Sequence, residues 1–281
     1  MIKRRKVNPS LKGHPQIKNI IAVASGKGGV GKSTVSSNLA LALLKQGTRV
    51  GILDADIYGP SQPQLLGSYD TPELMPDKKL KPLLLHGLQM ISIGNLIDLD
   101  KAMIWRGPMV SQALQQLMQD TLWDDLDYLI IDLPPGTGDI QLTLSQKIPV
   151  IGSVIVTTPQ DLALLDAKRA IAMFEKVNIP VLGIIENMAG YKCSSCGHID
   201  PIFGEHGTES LLKQKNIPLL GSLPLTSQIR ADSDAGTPTM AKEPNSEISK
   251  LFLNISSKLT EQVAKLPQDF NARLPGVKIE S

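Results

Sequence analysis

Three features of the sequence predict an α/β fold built on a doubly wound, mainly parallel sheet. Short runs rich in β-branched residues and leucine alternate with segments whose apolar residues recur at helical spacing. Most of the strand-like runs are apolar almost continuously, which is typical of strands covered on both faces. A glycine-rich stretch joins the first strand-like run to the first helical segment. Regular β/α alternation of this kind predicts helices on both sides of one sheet.

The individual elements follow from these patterns. Seven runs are predicted strands, in chain order 19–24, 49–54, 89–93, 128–133, 153–157, 181–187 and 219–223. Four segments are predicted helices, namely 33–46, 109–119, 162–177 and 247–265. The last of these carries an apolar stripe, which we expect to pack on the domain rather than on a membrane because its polar face mixes both charges.

One domain is predicted over 20–266, between a basic leader (1–19) and a polar tail (267–281). The leader holds six Lys and Arg residues and no acid, and it lacks the apolar region of a secretory signal. A mitochondrial presequence is the alternative. The stretch has one serine and no clear amphipathic period. These features favour a flexible, solvated leader.

Composition excludes several classes of partner. Lys and Arg number 29 against 27 Asp and Glu, so the net charge of +2 gives no general basis for binding nucleic acid. The longest apolar runs are far shorter than the roughly 20 residues of a membrane helix. Two cysteines in a C-x-x-C pair do not make a disulfide framework. We therefore expect a cytoplasmic protein that binds neither nucleic acid nor membrane.

A phosphate-binding loop is predicted where the sequence reads GKGGVGKS (26–33), which satisfies G-x-x-x-x-G-K-[ST] between a strand and a helix. The glycines let backbone N–H groups surround phosphate oxygens, and the helix amino terminus adds partial positive charge. Lys32 is expected to reach the β- and γ-phosphates of ATP, and the Ser33 hydroxyl to bind Mg²⁺. The predicted nucleotide-binding residues of this loop are Gly26, Lys27, Gly28, Gly29, Val30, Gly31, Lys32, Ser33 and Thr34.

Carboxylates end two of the predicted strands. Asp132 closes a buried run and is the candidate Walker B residue, holding Mg²⁺ directly or through its water shell. The Pro- and Gly-containing segment that follows (133–139) is suited to sensing the γ-phosphate. Asp54 and Asp56 are two residues apart, so one of them can anchor the loop while the other faces the attacking water. A helix-capping role is the alternative for either one.

The second lysine of the loop, Lys27, would compete with Lys32 if it pointed at its own nucleotide. It is therefore predicted to point outward. A cation on the rim can act on the nucleotide of a facing subunit, as an arginine finger does. This interpretation predicts a homodimer, and a solvated surface lysine is the alternative.

The stretches GKGGVGKS, DADIYGPS (54–61) and IIDLPPGTGD (130–139) together resemble the deviant Walker A, SIMIBI-type class of P-loop NTPases. Further wording, including WRGPM, ENMAGYKCSSCG and IFGEHG, is similar to the Mrp/ApbC iron-sulfur cluster carriers of that class, over about 20–259. The resemblance implies that Lys27 acts across the dimer and that Asp56 orients the hydrolytic water. It also implies that Asp132 is the Walker B residue and that Asn187 contacts adenine.

Cys193 and Cys196 supply two thiolates, which is half of a tetrahedral metal site, so a four-sulfur set requires two chains. The resemblance implies that the shared cargo is a 4Fe-4S cluster, received from the iron-sulfur assembly machinery and passed to apo-proteins. A zinc site completed by His198 or His206, a redox-active pair and inert cysteines are the alternatives.

The expected function is therefore a cluster carrier that hydrolyses ATP slowly, with ATP, Mg²⁺ and a 4Fe-4S cluster as ligands. A positioning or partition ATPase of the MinD/ParA kind is the competing function, and it would need a basic strip or a membrane anchor that the sequence does not supply convincingly. A small-molecule kinase would need an arginine-bearing lid, whereas Arg106, Arg169 and Arg230 are scattered.

Overall fold

The computed structural model describes residues 2–96, 107–193, 195–205 and 207–269. Arg106, His206 and the tail from 270 onward lie outside these ranges. Within them the strands are β1 (Ile17–Ala24), β2 (Val50–Asp54), β3 (Leu83–Leu85), β4 (Leu88–Ser92), β5 (Leu126–Asp132), β6 (Gly152–Thr157), β7 (Val181–Glu186), β8 (Tyr191–Lys192), β9 (Ile199–Asp200) and β10 (Leu219–Ser222). The helices are α1 (Lys32–Lys45), α2 (Gln62–Leu66), α3 (Gly107–Asp120), α4 (Asp139–Lys147), α5 (Asp161–Lys176), α6 (Glu209–Lys215), α7 (Ser227–Asp234), α8 (Thr239–Lys242) and α9 (Glu247–Lys265).

Eight of the strands form one sheet in the order β10-β7-β6-β1-β5-β2-β4-β3. Every neighbouring pair is parallel except the β3–β4 hairpin at one edge. The predicted doubly wound, mainly parallel sheet is confirmed. Because β1 lies between β5 and β6, the loop after β1 emerges at the centre of the sheet's carboxyl edge, where parallel α/β sheets bind ligands.

Helices cover both faces of the sheet and bury its strands. Apolar residues of α3, α4 and α5 pack on one face, and those of α1 and α9 pack on the other. The α9 stripe packs on the domain as predicted, apart from Leu251, which is 36% exposed. Phe252 and Leu259 on that stripe are fully buried, and each such side chain contributes roughly 1.5–3 kcal/mol. None of the described helices is both long and apolar enough to cross a bilayer.

The leader differs from the prediction of a flexible segment. Its backbone pairs with residues that follow α9, since the Lys6 N–H donates to the Pro267 carbonyl at 3.1 Å and the Asp269 N–H to the Arg4 carbonyl at 3.0 Å. Asn19, which is buried, accepts from the Arg5 N–H at 3.0 Å. Strand β1 also begins at Ile17, within the predicted leader. The leader and the start of the tail are therefore packed parts of the domain, because each satisfies the other's backbone groups.

Candidate nucleotide site and cysteine hairpin

The phosphate loop lies between the end of β1 and the start of α1. Gly29 and Gly31 have φ of 80° and 81°, in the left-handed region that favours glycine. Gly31 caps α1, and no side chain accepts from the first N–H groups of that helix. These N–H groups and the helix dipole thus face the loop, which is the arrangement that binds phosphate.

Lys32 contacts a carboxylate in this structure. Its ammonium lies 2.7 Å from Asp132 Oδ1, with side-chain exposures of 6% and 0%. The same Oδ1 accepts from the Ser36 hydroxyl at 2.9 Å, and Asp132 Oδ2 accepts from the Gln62 amide at 2.9 Å. Lys32 also lies 3.1 Å from the Ser33 hydroxyl. The sequence placed Lys32, Ser33 and Asp132 together correctly, but it gave no local signal for Ser36 or Gln62.

The side-chain oxygen of Gln62 is buried and, among the described residues, unpaired. Its amide nitrogen donates to the Ser33 carbonyl at 3.1 Å and to Asp132, whereas its buried Oε1 has no hydrogen-bond partner within the described part of the chain. An orphaned buried acceptor is costly. A water or hydroxyl donor bound beside Ser33 and Asp132 would satisfy it.

The two carboxylates after β2 have different environments. Asp54 is fully buried and accepts from the Gln62 N–H and the Ser92 hydroxyl, both at 3.0 Å. Burial, and then the nearby Asp132 carboxylate, raise the pKa of Asp54 to about 7. Asp56 is 9% exposed and accepts from the Gly59 N–H at 3.3 Å. Burial raises its pKa, although Lys32 opposes this shift. Asp54 therefore anchors the loop, and Asp56 is the carboxylate nearer the surface.

Lys27 is partly exposed on the rim of the loop. No hydrogen bond or ion pair of its ammonium occurs within the ranges that the structure describes. The loop backbone is fixed at this point because the Lys27 carbonyl accepts from the Ser25 hydroxyl at 2.8 Å. The side chain is thus available to a group outside its own chain.

A cavity of about 540 Å³ opens beside the carboxyl end of the loop, within the usual size range of small-molecule sites. Asn187 lies between the loop and the cavity, and its side-chain amide donates to the Val30 carbonyl at 2.9 Å. Most of the wall is apolar. The sequence pointed to Asn187 but gave no signal for the remaining wall, which includes Leu65, Met188, Tyr191, Pro224, Leu225 and Ile229.

The two cysteines occupy the turn of a small antiparallel hairpin formed by β8 and β9. The Cys193 N–H donates to the His198 carbonyl at 2.8 Å, and the Gly197 N–H donates to the Cys193 carbonyl at 2.9 Å. Both thiols are free, and Cys196 is exposed. The backbone N–H of Cys196, followed by that of Ser195, lowers the pKa of the Cys193 thiol. This turn therefore favours the thiolate, which is the form that binds metals.

The described residues of a single chain do not complete a metal site around these thiols. No group of three or more His, Cys, Asp or Glu side chains that could hold a metal occurs among them. His198 is thus not placed as a third zinc ligand together with both cysteines, and His206 falls outside the described ranges. Cys193 is partly exposed and Cys196 is exposed, so both thiols can be reached by ligands from a second molecule.

Comparison with known proteins identifies relatives of this chain. Residues 16–260 match the family of the NUBPL iron-transfer P-loop NTPase. The iron-sulfur cluster carrier protein of Haemophilus influenzae is 58% identical over 263 residues, which are 93% of this chain and 70% of that protein. The iron-sulfur cluster transfer protein NUBPL of Mus musculus is 42% identical over 275 residues, covering 95% and 86%.

Solved structures agree with this relationship. A nucleotide-binding protein from Archaeoglobus fulgidus, in complex with ADP, is 38% identical with a TM-score of 0.72, and the match covers 84% of this chain and 93% of that one. The cell division ATPase MinD of Pyrococcus furiosus is 23% identical with a TM-score of 0.64, covering 86% and 98%, and it shows only a shared fold. The phosphate loop and the family match together identify a nucleotide-binding protein. The chain belongs to the NUBPL iron-transfer P-loop NTPase family.

Proposed function

We propose that this chain is an ATP-hydrolysing carrier of 4Fe-4S clusters, which binds the cluster between two copies of itself and passes it to apo-proteins. The observation that carries the proposal is the pair of free thiols, partly exposed Cys193 and exposed Cys196, held on one hairpin that begins beside the cavity. The names of the relatives supply the class of cargo. The thiolates supply the soft ligands that iron-sulfur clusters take.

ATP fits the site in two parts. Its phosphates lie in the loop 26–34, where they draw Lys32 from Asp132, and its adenosine occupies the adjacent cavity beside Asn187. The apolar wall and the side-chain amide of Asn187 suit a neutral base that offers hydrogen-bonding edges. The loop therefore binds the charged part of the nucleotide, and the cavity binds its uncharged part.

Magnesium fits the same site. Mg²⁺ prefers oxygen ligands and retains several waters, and Ser33 and Asp132 offer a hydroxyl and a carboxylate. The unpaired Oε1 of Gln62 is positioned to accept from such a water. Mg²⁺ supplies neutralisation of the phosphate charge when it is bound.

Hydrolysis needs a positioned water and a counter-charge. Water attacks the γ-phosphorus as the bond to the bridging oxygen of ADP breaks, and Asp56 accepts the hydrogen bond that orients this water. Lys27 of a facing subunit neutralises charge that develops on the transferring phosphoryl group. The segment 133–139 follows β5 from Asp132 and responds to the γ-phosphate. These roles require a homodimer.

The dimer also completes the cargo site. Two chains related by a two-fold axis bring together four thiolates, which match the four irons of a 4Fe-4S cluster. Nucleotide that closes the dimer alters the spacing of the two hairpins. By linkage, bound cluster alters nucleotide affinity by the same factor. The assembly machinery would load the cluster, and an apo-enzyme would accept it.

The test is anaerobic reconstitution with iron and sulfide, followed by metal analysis, mass measurement and transfer to an apo-enzyme. We expect about four irons and four sulfides per dimer, as a 4Fe-4S cluster requires. The double variant Cys193→Ser, Cys196→Ser should bind no cluster and yet bind ADP normally. One zinc per chain, or a full cluster on a monomer, would contradict the proposal.

A further inference from the structure

Six residues, 187–192, connect the phosphate loop to the first thiol, because the side chain of Asn187 is bonded to the loop and Cys193 follows residue 192. The segment begins at Asn187, which is tied to the loop through Val30, and it leads directly into the turn at Cys193. Even fully extended, a segment of this length spans only about 20 Å. The segment therefore joins the cavity to the cysteines without an intervening domain or linker.

The start of this segment has an unusual backbone. Met188 has φ of 57°, in the left-handed region that side-chain-bearing residues rarely adopt. Hydrogen bonds on both sides hold it, from the Asn187 N–H to the Thr157 carbonyl at 2.7 Å and from the Ala189 N–H to the Leu223 carbonyl at 2.9 Å. The segment is thus fixed to the sheet at 187–189, and its course after that point is set by what it contacts.

Tyr191 is part of both the nucleotide cavity and the cysteine hairpin. Its side chain lines the nucleotide cavity, and its backbone forms β8, in register with Asp200 on β9. It also forms a bridge with Leu225, whose N–H donates to the Gly190 carbonyl at 2.9 Å. One residue therefore forms part of the cavity wall and part of the strand that carries Cys193.

The cavity chemistry favours a planar neutral group against this tyrosine. The two charged side chains on the wall, Arg230 and Asp234, pair with each other at 2.7 Å. The neighbouring wall residues Pro224 and Leu225 are apolar. An aromatic ring on such a wall gains from stacking or edge contacts with another ring.

We propose that Tyr191 is a positioning residue: its ring contacts the base of the bound nucleotide and thereby sets the geometry of the Cys193 turn. The inference rests on the proposed function, because it takes the occupant of the cavity to be the adenosine part of ATP or ADP. Tyr191 is then the residue through which bound nucleotide alters the surroundings of the thiols. The hairpin's own ladder consists of two residue pairs, and beyond the bridge to Leu225 its strand β8 is tied to α9 by the exposed Lys192–Glu247 ion pair at 2.8 Å.

The test uses the cluster-free full chain and follows thiol alkylation by iodoacetamide, with and without saturating Mg-ADP. Cys193 and Cys196 are the only cysteines, so the signal comes from the hairpin alone. In the wild-type chain we expect ADP to change the alkylation rate about threefold or more, since the rate follows thiolate fraction and access. Tyr191→Phe, which keeps the ring, should retain this change. Tyr191→Ala and Tyr191→Leu should lose it, while their affinity for pyrophosphate stays unchanged.

Ile199→Ala is the matched control. Ile199 is a 60% exposed residue of the same hairpin that does not line the cavity, so this variant loosens the hairpin but should keep the ADP effect. Circular dichroism verifies folding, and the leucine variant serves if the alanine variant is unfolded. A wild-type response to ADP in Tyr191→Leu would overturn the inference, as would ADP binding that leaves wild-type alkylation unchanged. Failure of the wild-type chain to bind ADP, measured by calorimetry, would instead overturn the nucleotide part of the proposed function as well.

Discussion

The phosphate loop and the cysteine hairpin differ in how firmly the rest of the molecule holds them. Asp132, below the loop, is fully buried and accepts from three side chains, those of Lys32, Ser36 and Gln62. The hairpin has a ladder of two residue pairs and leaves Cys196 exposed. One chain therefore preforms the phosphate loop and the contacts around Asp132, whereas the described residues do not complete a metal site around the two thiols.

The largest expected effect tests how rigidly the nucleotide site is built. Lys32→Ala leaves Asp132 buried without its cation, so we expect a loss of roughly 3–5 kcal/mol of unfolding free energy. ATP binding should fall below detection in calorimetry. Lys27→Ala is the control, and its partly exposed side chain predicts a stability change within about 0.5 kcal/mol. Equal stability of the two variants in urea denaturation would show that the site is less firmly held than the structure indicates.

The next effect separates binding from hydrolysis at the same site. Asp56→Asn keeps an oxygen that can accept from the Gly59 N–H but weakens the acceptor for the attacking water. We expect phosphate release from ATP to slow by about 10²-fold or more, as for loss of a general base. ADP affinity should remain near the wild-type value. Full ATPase activity in this variant would remove Asp56 from the mechanism.

A matched pair of glycine variants tests the junction between the two regions. Gly29→Ala meets open space, so only its positive φ is penalised, at roughly 1–2 kcal/mol. Gly31→Ala has the same penalty, and its new Cβ would also overlap Asn187 Nδ2. Losing the bond from Asn187 to Val30 should add about 1 kcal/mol. Denaturation of both variants measures the difference. Equal losses of unfolding free energy would mean that Asn187 does not fix the segment 187–192 to the phosphate loop.

The smallest effect concerns the hairpin alone. In Cys196→Ser the backbone N–H groups at 195 and 196 remain, so the pKa of the Cys193 thiol should stay lowered. A lowered pKa means that the thiolate persists to lower pH in the folded chain. The midpoint of the pH profile of alkylation should therefore lie below that of the same variant unfolded in urea. Coincident midpoints would show that the turn does not stabilise the thiolate.

The sequence predicted the parts of this molecule that have a local signature. The strands that became β1, β5 and β6 are continuous apolar runs, and the spacing of GKGGVGKS fixes the loop between β1 and α1. The position of Asp132 at the end of a strand follows from the same pattern. These features depend on neighbours in the chain, and periodicity records them.

The remaining features depend on contacts between distant residues. Gln62 reaches Asp132 across 70 positions, and Leu225 meets Tyr191 across a stretch of chain that contains β9, α6 and β10, so neither contact leaves a periodic pattern in the sequence. Strands β8 and β9 are two residues each, too short for an alternating pattern. The pairing of the leader with the residues after α9 is also long-range, which is why the leader was predicted to be flexible.

That pairing has a practical consequence for experiments. Lys6 and Pro267 are bonded to each other, and the leader enters β1 at the sheet's amino edge, away from the phosphate loop. A spectroscopic label on the leader would therefore lie at the opposite edge of the sheet from the phosphate loop and the thiols. Immobilising the protein through that segment would leave the phosphate loop and the cysteine hairpin open to solution, so surface-based measurements can test the proposed dimer and the proposed cluster transfer.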